Sequence, residues 1–306
     1  MKNLKVKIFI IILFFFPLLF LLSSIYLQAS LNGKVNYYAP LLKVIFFDVW
    51  QGDSILIITP SGKIALIDAG LGGSEYMRFD AGKMVIFPYL KKHKIRKIDY
   101  LVMTHPHNDH IGGLIYLFKK EPIKNVYDCG MPYTTQLYMN CLEIISEKNI
   151  KYQIPYAPSK LKWDPMLKVT VVHPPKGWQY SDNPNDNSLV IKIIYKKISF
   201  LFTGDVENEA EYAIVQSGYN ISATILKVPH HGSDTSSSDT FIDAVNPEVA
   251  IISVGKDNKF GHPSPSTIAR YKERGIKIYR TDYYGDITVI TDGNKYEIFA
   301  QRKLKK

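Results

Sequence analysis

Short runs of buried-type residues, each four to seven long and set between turn residues, dominate the chain after residue 42. Apolar stretches at 44–48, 54–59 and 63–68 read as strands, with Pro60, Ser61 and Gly62 forming the turn between the last two. A helical period at 80–94 leads to a strand at 98–103 and a helix beginning near Gly112. The middle, 123–163, alternates strands with a helix around 137–148. Residues 169–173 form another strand, and a Pro- and Asn-rich loop follows to 187. A hairpin, 188–195 and 198–203, turns at Lys196 and Lys197. Strands at 223–228 and 249–254 then alternate with helices at 206–217, 238–245 and 264–275, and strands at 277–281 and 286–291 close the pattern. Two β-rich halves, each followed by helices, predict one mixed α/β domain over 42–300.

Ahead of it, residues 8–29 carry no charge and are rich in Ile, Leu and Phe, following Lys2, Lys5 and Lys7. About 20 apolar residues suffice to span a bilayer as a helix. No small residue stands two positions before Ala29, so 1–30 reads as an uncleaved signal anchor, with a removed signal peptide as the alternative. The positive residues then stay cytoplasmic and the domain lies outside, tethered to the membrane or secreted. Residues 31–41 form a polar linker and 301–306 a basic tail. Lys and Arg number 38 against 28 acids, a net charge of +10, of which the three N-terminal lysines account for three. A basic exported surface attracts a polyanion, whether nucleic acid, wall polymer or anionic lipid, although lysine runs such as 91–97 also occur simply as solvated faces. Cys129 and Cys141 are read either as a disulfide or as two buried thiols.

The densest chemistry is His105, His107, Asp109 and His110, gathered just after the strand 98–103. Loops at the carboxyl ends of strands are where α/β folds place their chemistry. The spacing lets His105 and His107 hold one metal and leaves Asp109 and His110 for a second. With it occur Gln51-Gly52-Asp53-Ser54, Leu66-Ile67-Asp68-Ala69-Gly70, Phe202-Thr203-Gly204-Asp205, Val228-Pro229-His230-His231-Gly232-Ser233 and Phe260-Gly261-His262-Pro263-Ser264. In this order the segments resemble the metallo-β-lactamase superfamily, and within it the extracytoplasmic β-lactamase-like domain of ComEC-type competence (DNA-internalisation) proteins, from about Leu42 to Asp292. Trp50 is a departure, since relatives commonly carry glycine there.

The resemblance implies an αββα four-layer sandwich behind the N-terminal segment, and a hydrolase with two divalent metal ions, zinc or manganese. Asp205 is the expected bridging carboxylate, after a strand whose end carries Gly204; helix capping is its alternative. Of His230 and His231, one ring is expected to face the metals, His231 being the inward choice. His262 either ligates or donates to the phosphate. Asp109, His231 and His262 are the expected catalytic residues. Asn185 or Asp186 is expected to complete the first metal's ligands, giving an oxygen-rich site that suits manganese as well as zinc. Asp68 orients the histidine loop, and Asp48 and Asp53 brace the adjoining turn. The expected activity is phosphodiester hydrolysis, first on DNA. Teichoic or phosphocholine-bearing wall polymers are the alternative substrates, and a non-catalytic DNA-binding partner of a separate competence channel is the alternative role. With one long apolar run, these residues supply no multi-span pore, so another chain would form it. No glycine-rich phosphate loop or Gly-x-Ser-x-Gly elbow competes with this reading.

Overall fold

The computed structural model describes residues 34–73 and 79–302; the apolar segment 8–29 lies outside them. Among the described residues no helix is long and apolar enough to cross a membrane. The chain starts with β1 (Leu42–Phe46), β2 (Ile55–Ile58) and β3 (Ile64–Ile67), an antiparallel meander, then adds β4 (Tyr100–Met103), β5 (Asn125–Asp128) and β6 (Lys151–Gln153) in parallel. A second sheet follows from β7 (Lys160–Leu161), β8 (Lys168–His173), β9 (Val190–Tyr195), β10 (Ile198–Phe202), β11 (Ile225–Lys227), β12 (Val249–Ile252) and β13 (Lys277–Arg280), parallel from β10 onward. Finally β14 (Ile287–Thr291) and β15 (Tyr296–Ala300) return to the first sheet beside β1. The sequence pattern anticipates β14 but not β15, whose residues are only half-buried and alternate poorly.

The period-2 alternation of strands sorts side chains into layers. Val44 and Phe46 point between the sheets with Ile57, Ile67, Phe202, Ile225 and Ile251. Their neighbours Ile45, Phe47, Leu56 and Leu66 face outward to Leu90, Leu117 and Ile145 of the helices Phe87–Lys92, Leu114–Lys120 and Gln136–Glu147. On the other sheet, Leu201, Leu226, Ala250 and Ile252 pack on Ile214, Phe241 and Tyr271 of the helices Asn208–Gln216, Asp239–Val245 and Pro265–Glu273. Helices therefore cover the outer face of each sheet.

Local differences from the sequence pattern have clear causes. The helix expected from Gly112 is Leu114–Lys120, and a separate one-turn helix, Asn108–Ile111, precedes it, with His107 extended before it and Asp109 in its first turn. The expected helix 80–94 contains a wide π-type stretch, Gly82–Ile86, before Phe87–Lys92. Gly82 lies against Gly113 so closely that a Cβ would sit 2.1 Å from the Gly113 carbonyl oxygen. Cys129 and Cys141 are two buried free thiols. His93, in the lysine run, stacks on Tyr89 with centroids 4.1 Å apart.

Candidate metal centre

Register places the chemistry at one edge. Ile67 lies beside Val102 in the parallel β3/β4 pair, so Asp68, one residue on, meets the start of the histidine loop. Its carboxylate accepts the backbone N–H of Thr104 at 2.9 Å and the Thr104 hydroxyl at 2.6 Å, and lies 2.7 Å from His110 Nδ1. Leu201 lies beside Leu226, and Lys227 beside Ile251, so Asp205, His231 and Ser253 emerge past the ends of β10, β11 and β12. Two glycines permit the close approach. Gly204 has φ +54 and lies against Ser188, while Gly52 has φ +131 and lies so near Asp109 that a Cβ would sit 2.1 Å from its carbonyl oxygen. That carbonyl accepts the backbone N–H of Asp53 at 3.1 Å, which clamps the histidine loop to the Gln51–Asp53 turn.

Four donors converge. His231 Nε2 lies 3.2 Å from Asp205 and 3.4 Å from Asp109, and His110 Nε2 lies 3.1 Å from the same Asp205 oxygen. His110, Asp205 and His231 are buried, whereas the Asp109 side chain is 27% exposed. The outer nitrogens are already committed, His110 Nδ1 to Asp68 and His231 Nδ1 to the Ser253 carbonyl at 2.8 Å. Both Nε2 atoms, buried and without a hydrogen-bond partner, therefore turn inward. Orienting one nitrogen of a ligand histidine through a carboxylate or carbonyl is the usual outer support of a metal site. Donor separations of 3.1–3.4 Å also match the spacing of atoms held roughly 2.1 Å from one ion.

Beside this group, His105 Nε2 and His107 Nδ1 are 3.1 Å apart, and the His105 ring lies 4.1 Å from that of His110. Burial first, and then the nearby His110 charge, push both imidazoles down, so they are neutral donors at pH 7. Burial would also lower His110 and His231. The carboxylates of Asp205, Asp68 and Asp109 outweigh it, holding His110 well above its ordinary range and His231 at about 9. Burial alone would raise Asp205, but His110, His231 and Lys227 hold it far below the usual carboxylate range. Asp109, His110, Asp205 and His231 thus form a group of converging donors that could hold a metal ion, with the His105–His107 pair beside it.

The remaining residues divide. His230 and His231 both adopt left-handed backbone, φ 45 and 53, so this tight turn, not strand alternation, sends them apart. His231 points in, while His230 Nδ1 lies 3.3 Å from Glu207 and its Nε2 is 3.5 Å from the Asn185 amide. The Asn185 amide donates to Glu207 at 2.6 Å. Asp186 is turned away. Its Oδ1 accepts the N–H groups of Glu207 and Ala210, both at 3.0 Å, and so anchors the start of the helix Asn208–Gln216. His262 sits with its ring 5.4 Å from His230 and 6.5 Å from His231, its buried Nδ1 without a partner. Burial, then His230 and His231, push it down to about 4. Asp48 pairs with Arg302, away from the cluster.

Two participants escape sequence reasoning. Lys227, wholly buried, pairs with Asp53, donates to the Gly204 carbonyl at 3.0 Å and lies 3.5 Å from Asp205. Asp53 thus does more than brace a turn. A lysine inside an otherwise apolar buried strand was the available signal. Glu207 gave none, being one acid among several before a helix.

His173 is not brought into the cluster. It lies buried behind it, its Nε2 2.9 Å from the Asp186 carbonyl and its ring 4.6 Å from Trp178. Burial pushes it down to about 4, so folding requires the neutral ring, whereas the unfolded chain takes up a proton near pH 6.5. Stability from this group is therefore full above pH 6.5 and falls as pH drops toward 4, by on the order of 3 kcal/mol. Urea melts at pH 7 and pH 4.5 should show a smaller acid loss in His173→Gln than in the wild type; equal losses would refute the assignment.

Residues 47–256 match the family model described as the metallo-β-lactamase superfamily. The chain is 31% identical over 260 residues to ComE operon protein 3 of Bacillus subtilis (strain 168), covering 80% of this chain and 32% of that protein. It is 30% identical over 248 residues to competence protein ComA of Neisseria gonorrhoeae, covering 79% and 31%. The chain thus spans about a third of the length of these curated relatives. Among solved structures, the metallo hydrolase Igni18 of Ignicoccus hospitalis KIN4/I shares its fold with TM-score 0.52 and 15% identity, covering 86% of this chain and 100% of that one. The diiron β-hydroxylase CmlA of Streptomyces venezuelae also has TM-score 0.52, with 14% identity, covering 81% and 53%.

Proposed function

The chain belongs to the metallo-β-lactamase superfamily, and from that premise we propose that it is an exported metal-dependent phosphodiesterase whose substrate is DNA. The observation that carries this reading is the convergence of Asp109, His110, Asp205 and His231 on one buried point beside the His105–His107 pair, with the inward nitrogens of His110 and His231 aimed at the carboxylates but without a hydrogen-bond partner. The relatives named for competence and the net charge of +10 favour an anionic polynucleotide over a neutral substrate.

His105 and His107 would hold one ion, and Asp109, His110 and His231 would serve a second, with Asp205 shared. Two divalent ions supply an activated water and neutralise charge on the phosphate. The chain's own residues do the positioning. Asp68 and the Ser253 carbonyl fix the rings of His110 and His231, and the Asp53 N–H holds the backbone of Asp109. Partly exposed Asp109, held ionised by His231 and His110, would orient the attacking water by accepting its hydrogen bond. His262, neutral at pH 7, and partly exposed His230 stand at the mouth to hydrogen-bond the phosphate.

The test is to incubate the purified chain with end-labelled single- and double-stranded DNA in the presence of manganese, of zinc, or of a chelator. Cleavage is expected with metal, abolished by chelation and restored by manganese. A folded, metal-loaded protein that leaves DNA intact but hydrolyses glycerol-phosphate polymers would move the substrate to the cell wall. Failure to bind metal would remove the enzymatic reading.

A further inference from the structure

At the mouth of the metal centre two large aromatic rings stand in solvent, Trp50 being 42% and Phe260 56% exposed. They flank one loop. The Trp50 indole donates to the Lys256 carbonyl at 3.2 Å and lies over Gly255, where a Cβ would come 2.9 Å from indole Cδ1. At the loop's other end Phe260 stacks on His262, with centroids 5.7 Å apart and 26° between planes. Between them Asn258 ties the loop together. Its amide donates to the carbonyls of Gly255 at 3.0 Å and His262 at 2.6 Å, while its oxygen accepts the N–H groups of Phe260 and His262. The Gly255 N–H is in turn held by the Gln51 side chain at 3.1 Å. The rings are therefore presented by a braced loop that ends at His262.

Two further features separate this rim from an ordinary exposed aromatic. Trp50 keeps a bulky side chain at φ 64, in the left-handed region that favours glycine. Lys256 and Lys259 are exposed on the same loop, with Lys259 Nζ 5.2 Å from the Phe260 centroid, and Asp257 is the one acid among them. Aromatic faces interleaved with cations fit a chain in which flat groups alternate with phosphates. Glycerol-phosphate polymers have no flat groups, and in duplex DNA the base faces are already stacked.

We infer that Trp50 and Phe260 form a stacking platform for unpaired nucleobases, so that the strand entering the metal centre is single-stranded nucleic acid. This rests on the phosphodiesterase reading above. A binding measurement separates the two. With chelator present to prevent cleavage, the full chain in mild detergent is titrated with a single-stranded oligonucleotide and with an abasic strand of equal length, followed by anisotropy and by tryptophan fluorescence. The base-bearing strand should bind about 100-fold more tightly, and Trp50→Gly and Phe260→Ala should each remove roughly 10-fold of that preference while leaving abasic binding unchanged. Part of the fluorescence quench should disappear in Trp50→Gly. The melting temperature of that variant should change little, because relief of the left-handed backbone offsets loss of the indole hydrogen bond to Lys256. Equal affinity for the two strands, or variants that bind like the wild type, overturns the platform even if DNA is cleaved. Base-dependent binding without cleavage under metal would retain the platform and reject the phosphodiesterase.

Discussion

Asp205→Ala should reduce metal-dependent phosphodiester hydrolysis by about 1,000-fold, the largest loss expected of any single substitution. Its Oδ2 is 3.1 Å from His110 Nε2 and 3.2 Å from His231 Nε2, so among the described residues it is the carboxylate in contact with both inward rings. Losing a shared ligand costs several kcal/mol of charge stabilisation, and about 1.4 kcal/mol corresponds to tenfold in rate. Metal content should fall as well, from two ions per chain to one or fewer. Asp68→Ala is the informative comparison. Asp68 acts through His110 and Thr104, so its loss should weaken metal affinity by roughly 10- to 100-fold and be largely recovered at high manganese concentration. Rates measured against manganese concentration, with elemental analysis of each variant, separate a ligand from a positioning residue. An Asp205→Ala protein that keeps two ions and near-normal rate would refute the assignment.

The largest stability loss should come from Lys227→Met. The ammonium is buried between Asp53 and Asp205. Burial alone would push it down, but the two carboxylates hold it above its ordinary value, so it remains charged. Removing one member of a buried ion pair strands the other, at a cost of about 3–5 kcal/mol. Urea denaturation should show that loss in Lys227→Met, and a much smaller loss when Asp53→Asn is added, because the stranded carboxylate is then gone. Metal affinity should move the opposite way. With a cation 3.5 Å from Asp205 removed, the cluster attracts divalent ions more strongly, so saturating manganese should return part of the lost stability. Additive losses in the double variant would mean that Lys227 and Asp53 are not coupled.

The contrast between Asp186 and Lys227 marks the limit of sequence reading. Asp186 stands in a loop of ligand-type residues and invites a role at the metal, yet its Oδ1 serves the backbone of the following helix and its Oδ2 accepts from the Asn183 amide. Lys227 sits in an otherwise apolar strand, which signals a paired charge but not its partner, and it stands 3.5 Å from Asp205. Both outcomes depend on groups 20 or more residues away, Asp186 meeting Glu207 and Ala210 across the β9–β10 hairpin and Lys227 meeting Asp205 across β10 and β11. The choice between His230 and His231 was likewise made by left-handed backbone at both residues, which no local pattern announces.

By itself the sequence determined the layered plan, because strand alternation and helical period are local consequences of which residues avoid water. It also placed His105, His107, Asp109 and His110 together, since they must share one loop wherever the chain goes. Tertiary structure decided which distant side chains complete the cluster, which nitrogens face inward, and that a buried lysine offsets two carboxylates. Those properties follow from register between parallel strands and from the desolvation of charges brought together, and neither exists until the two sheets have packed.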